Sequence, residues 1–294
     1  MVKIFSFLLF FIISFKLYAI DTKAEQAVVI DFDTNEVLFE KNSNTKAIPA
    51  SMTKIMTVYV AFDRIKNTNF AISNECKVSP KAYKMGGSRT FLEIDDNVTV
   101  DDLLKGIIVQ SGNDASIALA ECLGGTEDDF AKLMNVYAER LGMKNTNFIN
   151  SSGWPDDNHY STVYDLGILS NALIKDFPQL YSYFKMEEFT YNDISQPNRN
   201  KLLYQVQGAD GLKTGFTKES GWGIAATALR NDRRITVVIN GTNSSRSRLN
   251  ESSNLINWAF NQTSQQTLVE KDQFIKEVDV WLGSESSINL ISAQ

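Results

Sequence analysis

Ile48-Pro49-Ala50-Ser51-Met52-Thr53-Lys54 is the stretch on which the reading of this chain turns. Proline suits the first helical positions, where its missing N–H leaves no bond unmade. A helix starting there puts Ser51 and Lys54 on one face, about 5–6 Å apart at Cβ. Hydroxyl and amine are then within reach of each other, and a neutral lysine can be the base that turns a serine into a nucleophile. Ser-x-x-Lys also occurs at Ser43 to Lys46 and at Ser182 to Lys185, so the spacing alone selects nothing. What singles out Ser51 is its ordered company downstream, Ser111-Gly112-Asn113 and then Lys213-Thr214-Gly215.

The chain has 294 residues, 43% hydrophobic and 22% charged, a globular balance with room for one large domain or two small ones. Net charge is −6 and no Lys/Arg run is long enough for a nucleic-acid footprint, which argues against nucleic acid or an anionic membrane surface as partner. There is no Cys/His cluster with zinc spacing, and neither a metal nor another cofactor is expected. Residues 1–19 have the form of a secretory signal: Lys3 near the start, an apolar run from Ile4 to Phe15, and Ala19 at a cleavage point. That run is shorter than the ~20 residues a membrane span needs. Cys76 and Cys122 either pair, as an oxidising compartment permits, or stand apart as small hydrophobes; the sequence leaves both open.

Ala27 to Phe32 and Glu36 to Glu40 are β-rich runs flanking Asp33-Thr34-Asn35 and predict a hairpin. The helix carrying Ser51 is expected to reach about Arg64. Its apolar residues Ile55, Met56, Val58, Tyr59 and Ala61 cover more than one face, which predicts burial. Residues 71–100 look irregular, with short strands. Helices are predicted from Val100, over Ser111 to Leu123, after a cap at Thr126, and over Thr162 to Ile174. Residues 144–160 are loop-like. Trp222 to Leu229 and Ile235 to Gly241 form a second hairpin, and a helix from about Ser247 to Phe260 follows. Terminal strands that meet in one antiparallel sheet, with helices between, give an α+β architecture. The sheet is flanked by helices, with a helical insert and a cleft that brings Ser51 and Lys213 together.

The ordered set Ser51-x-x-Lys54, Ser111-x-Asn113 and Lys213-Thr214-Gly215 resembles that of penicillin-binding proteins and class A β-lactamases. The likeness extends through Phe91-Leu92-Glu93, Val98 to Gly106, Asp114-Ala115, Leu141-Gly142-Met143, Asn147 to Asn150, His159 to Thr162, Asn198-Arg199-Asn200 and Asp210-Gly211-Leu212. Over roughly residues 25 to 262 the chain is similar to the low-molecular-mass penicillin-binding proteins, whose best-known members are serine-type D-alanyl-D-alanine carboxypeptidases. The resemblance implies a β-lactamase-like fold and peptidoglycan stem peptides ending in D-Ala–D-Ala as substrate. It also implies an acyl-enzyme, covalent inhibition by β-lactam antibiotics, and a periplasmic place, free or peripheral to the inner membrane. It divides the chain into a signal (1–19), a transpeptidase-like catalytic domain (20–262) and a stub (263–294). In that stub Val278 to Gly283 looks like the start of the β-rich second domain many members carry. The amphipathic C-terminal anchor of such members is not visible.

By that resemblance Ser51 is the nucleophile and Lys54 its base, with burial beside a second cation, Lys213, lowering the lysine pKa. Ser111 relays a proton to the leaving amine. Asn113 holds the substrate amide or Lys54. Lys213 and Thr214 bind the terminal carboxylate, Gly215 lets backbone approach ligand, and the N–H groups of Ser51 and Phe216 form the oxyanion hole. Arg248 and Arg199 either make a second carboxylate contact or form surface salt bridges. His159, the only histidine, is placed at the site edge. A D,D-endopeptidase would turn the same apparatus on cross-links. A class A β-lactamase needs a deacylating glutamate between the second and third motifs, and none occurs between Glu139 and Glu187. A non-catalytic wall-binding module has no use for an activated serine.

Overall fold

A computed structural model describes residues 20–267 and 269–292. The expected secretory segment, residues 1–19, lies outside the described residues. The first hairpin pairs β1 (Gln26–Asp31) with β2 (Val37–Lys41). The Asp31 carboxylate organises its turn by accepting from the N–H groups of Asp33 and Thr34. After one 3-10 turn, Ala50–Thr53, α1 (Lys54–Asn67) runs through the interior with Ile55 to Phe62 all buried, as its many-faced apolar pattern predicts. The irregular stretch holds β3 (Glu75–Lys77), α2 (Pro80–Lys84) and β4 (Asn97–Thr99). Of these, α2 is the element the sequence reading lacks; Ser79 caps it and Pro80 opens it.

α3 (Val100–Lys105) leads into a π turn, Gly106–Gln110, that ends at Ser111 in the left-handed region with φ 63°. α4 (Asn113–Gly124) therefore starts two residues later than predicted, and Ser111 stands ahead of the helix rather than within it. α5 (Glu127–Arg140) and α6 (Val163–Asp176) begin where predicted, with the Thr126 and Thr162 hydroxyls accepting from Asp129 and Asp165 N–H. β5 (Glu188–Tyr191) and β6 (Ile194–Pro197) form a small hairpin, and α7 (Leu202–Gln205) is a single turn. β7 (Ala209–Thr217), β8 (Gly221–Arg230), β9 (Arg233–Thr242) and α8 (Ser245–Gln262) complete the body.

The two predicted hairpins join in one antiparallel sheet of order β2-β1-β9-β8-β7, with Val28 opposite Val238. Successive strand side chains point to opposite faces. Val28, Ile30, Leu212, Ala225 and Val238 face α1 and α6, while Ala27, Val29, Ile224, Val237 and Ile239 face α8 through Leu255, Ile256 and Ala259. Both faces are covered, which is why these strands read as continuous apolar runs. Each buried Val or Ile contributes about 1.5–3 kcal/mol. β7 is left as an edge, so half of its backbone N–H and C=O groups point away from β8.

Cys76 on β3 and Cys122 on α4 form a disulfide across a sequence separation of 46, which settles the choice the sequence leaves open. Chain-entropy reasoning assigns about 4 kcal/mol to a loop of that size. Replacing both cysteines with serine is expected to lower Tm by roughly 10 °C. An unchanged melting curve would remove the bond from the stability account. Beyond α8, β10 (Phe274–Asp279) and β11 (Ser287–Ile291) pair as a hairpin, with Trp281 and Leu282 fully presented to solvent between them. Among the described residues no helix is long and apolar enough to cross a membrane.

Candidate active site

The Ser51 turn is held by close backbone contact on both sides. Ala50 takes a left-handed φ of 49°, a conformation that costs a non-glycine residue about 1 kcal/mol or more. Gly153 approaches so closely that a Cβ there would lie 1.8 Å from the Ala50 carbonyl oxygen. On the other side a Cβ at Gly215 would meet the Pro49 carbonyl at 2.9 Å and Ala50 Cβ at 3.2 Å. Glycine at 215 thus lets β7 close onto the nucleophile turn, a different reason from the ligand approach expected of it.

Lys54 is the first residue of α1 and is completely buried. Its Nζ donates to Ser51 Oγ at 3.0 Å, Asn113 Oδ1 at 2.7 Å and the Ser152 carbonyl at 2.6 Å. Asn113 Nδ2 donates to the Gly86 carbonyl, which fixes the oxygen of its amide toward the lysine. Asn113 therefore holds Lys54, one of its two expected roles. Burial pulls the Lys54 amine down to about 7, against the opposing charges of Asp114 and Glu127. When neutral, the amine keeps two N–H donors and one lone pair. Asn113 Oδ1 and the Ser152 carbonyl only accept, so the lone pair must face Ser51, the one partner able to donate.

Lys213 on β7 is 2% exposed, and among the described residues its Nζ finds a single acceptor, the Thr214 carbonyl at 3.3 Å. Burial, then the nearby charges of Lys54, Arg199 and Arg248, hold its amine well below the ordinary lysine range. Arg248 is buried against the Trp222 ring, with long contacts to the Gly215 carbonyl and Ser245 Oγ, and burial followed by Arg199 brings it to about 10. Arg199 is exposed at the cleft wall. None of these cations forms a salt bridge among the described residues, so the surface-pair alternative for Arg199 and Arg248 does not hold.

The cleft has two halves that share Ser51, Ser88, Arg199 and Phe216. One, of about 490 Å³, is lined by Ser111, Arg199, Thr214, Gly215 and Arg248. The other, of about 670 Å³, is lined by Asn113, Ser152, Trp154, Thr217, Lys218 and Glu219. Ser111 is nearly buried, and among the described residues its hydroxyl makes no hydrogen bond. Lys213 lies beneath the cationic half rather than on its wall. Phe216 is half exposed at the rim, its ring 4.2 Å from that of Trp222.

His159 departs from its expected place. It lies behind the nucleophile turn, with Nδ1 accepting from Ile149 N–H and Nε2 hydrogen-bonded to Thr53 Oγ1. Burial holds it neutral, down to about 4. Sequence reading missed three further contributors. Asp114, fully buried, accepts from the N–H groups of Thr90, Phe91 and Leu92 and shapes the loop beside Asn113. Asn150 Oδ1 gathers the N–H groups of Ser152, Gly153 and Trp154. Glu127, in the first turn of α5, holds Ser151. The arrangement provides a serine with a dry, partly neutral base, an unneutralised cationic end and a second open end. It fits acyl transfer on a chain that ends in a carboxylate.

The peptidase S11 family, described as D-alanyl-D-alanine carboxypeptidase, matches residues 14–243. The chain is 39% identical over 270 residues to D-alanyl-D-alanine carboxypeptidase DacC of Escherichia coli strain K12, covering 90% of this chain and 68% of that protein. Among solved structures it is similar to penicillin binding protein 5 from Haemophilus influenzae, with TM-score 0.89 and 33% identity over 93% of this chain and 81% of that one. It is also similar to penicillin-binding protein D2 from Listeria monocytogenes in its ampicillin-bound form, with TM-score 0.76 and 28% identity over 83% of this chain and 99% of that one. Sheet topology, the three converging motifs and these likenesses agree: the chain belongs to the D-alanyl-D-alanine carboxypeptidase family.

Proposed function

We propose that the chain removes the C-terminal D-alanine from peptidoglycan stem peptides ending in D-Ala–D-Ala, through an acyl-enzyme on Ser51, and that β-lactams such as penicillin acylate the same serine. The observation that carries this is the Lys54 amine, whose two obligate acceptors leave its lone pair aimed at Ser51. The cationic half of the cleft takes the terminal carboxylate, with Thr214 and Arg248 on its wall, Arg199 at its edge and Lys213 beneath. The scissile carbonyl then lies at the junction of the two halves, over Ser51. The preceding residues leave through the second half along β7, whose free edge can pair with an extended peptide.

Ser51 gives its proton to Lys54 Nζ as Oγ bonds to the carbonyl carbon of the penultimate residue. The oxyanion that forms is met by the N–H groups of Ser51 and Phe216. The C–N bond breaks as the leaving amine takes the proton from the Lys54 ammonium through the Ser111 hydroxyl, which can accept and donate in one step. Water then attacks the ester with Lys54 again accepting a proton, and Ser51 is restored. The two carboxylates near the lysine, Asp114 and Glu127, are buried and engaged with backbone and Lys81. This disfavours a class A β-lactamase route that needs a free glutamate base. We read residues 20–262 as the catalytic unit.

The test is release of free D-alanine from a stem pentapeptide by the purified protein, with cross-linked dimers as a second substrate. Release from the pentapeptide supports the carboxypeptidase. Cleavage of the dimer alone would transfer the same apparatus to endopeptidase work, and silence on both would overturn the reading.

A further inference from the structure

Glu127 is buried at the first position of α5, yet its carboxylate binds two segments outside that helix, α2 and the 144–160 loop. Its Oε1 accepts from Ser151 N–H at 3.0 Å and from Ser151 Oγ at 2.7 Å. Its Oε2 meets Lys81 of α2 at 2.8 Å, and that lysine is half exposed. The Ser151 carbonyl in turn accepts from Thr57 Oγ1 of α1 at 2.6 Å. The next carbonyl along, that of Ser152, is the shortest partner of Lys54. Two sets of hydrogen bonds, joined by the Ser151–Ser152 backbone, therefore link a surface lysine to the lysine beneath Ser51.

We infer that Glu127 is a positioning residue for Lys54: through Ser151 it holds the Ser152 carbonyl against the amine, and through a charge balanced by Lys81 it biases whether that amine carries a proton. The inference rests on the reading of Lys54 as the base. Burial opposes ionisation of Glu127, but Lys81 and both Ser151 donors outweigh it and hold the carboxyl below its usual range. The charge facing Lys54 is thus present at neutral pH. The other titratable groups around Lys54 are Asp114 from α4, which also favours the ammonium, Lys213 from β7, whose own amine is lowered by burial and then by Lys54, and the neutral His159 from the 144–160 loop.

The sign differs for the two ends of the relay. Neutral Lys54 is the active form, so acylation rises with pH through about 7. Glu127→Gln keeps an acceptor for Ser151 and removes the charge. The neutral amine is then favoured, and the acid midpoint of acylation moves down by roughly one pH unit. Acylation at pH 6 becomes about fivefold faster relative to its own plateau. Lys81→Ala, at a half-exposed site, leaves Glu127 uncompensated and moves the midpoint up by a smaller amount, about 0.3–0.5 unit.

The experiment measures the pH dependence of acylation by a fluorescent penicillin for the wild type and both variants. The Lys54 amine is titrated in parallel by 13Cε-lysine NMR in a Ser51→Ala background. Midpoints displaced in opposite directions, by both readouts, are the expected result. A merely structural role would change plateau rates and leave both midpoints in place, and that outcome would overturn the inference. NMR midpoints that shift while no protein form is acylated would leave the relay standing and overturn the assignment of Lys54 as base.

Discussion

Ser51→Ala is expected to abolish covalent capture of penicillin and to lower D-alanine release by about 10⁴-fold or more, with the fold intact. The size follows from the chemistry, since no other hydroxyl on the cleft wall has a base aimed at it. Ser111 also lines the cavity, but its hydroxyl has no hydrogen-bonded amine. Survival of the fold follows from the hydrogen bonds. Lys54 loses one of three partners and keeps Asn113 Oδ1 and the Ser152 carbonyl, so no buried donor is orphaned beyond what a neutral amine can absorb. Intact-mass spectrometry after incubation with penicillin is the direct check. The wild type gains the mass of the antibiotic and the variant does not, while their melting temperatures agree within about 3 °C. A labelled alanine variant would move the nucleophile elsewhere.

Lys213→Ala has the second largest expected effect and an unusual signature. The side chain is buried with one long acceptor and three neighbouring cations, an arrangement that costs folding energy rather than supplying it. Removing it is expected to leave Tm unchanged or raised. Turnover of a peptide with a free terminal carboxylate falls about 10²-fold, carried by both KM and kcat. The control is the same peptide amidated at its C-terminus, on which wild type and variant should differ little. Equal loss on both peptides, or a collapse of Tm, would mark Lys213 as structural.

The fold was legible where its signals are local. Thr126 and Thr162 cap helices through bonds to residues three positions on, and the apolar runs of β1, β8 and β9 bury both faces of a sheet. The site was legible through its three short motifs. What escaped reading depends on partners far apart in the chain. Glu127 looks like any first-turn acid until Ser151 arrives 24 residues later, and the Ser152 carbonyl that holds Lys54 has no side-chain signature at all. Ser111 was expected within a helix, whereas the π turn before it leaves that residue left-handed and α4 starts only at Asn113. His159 drew attention as the sole histidine, but buried between Thr53 and Ile149 it is a neutral brace for the turn.

The pairing of β1 with β9 has a consequence for how the molecule comes into being. Val28 waits for Val238, roughly 200 residues later in synthesis, and such non-local pairing makes folding slow. The edge strand that carries Lys213 rests on β8, which rests on β9, so the reactive cleft cannot assemble before β9 has been made. An emerging chain meanwhile offers an unpaired apolar strand to its neighbours, a period of exposure to misassembly. Reactivity toward penicillin is therefore a clock for completion: a chain captures the antibiotic only after its last sheet strands have closed on its first.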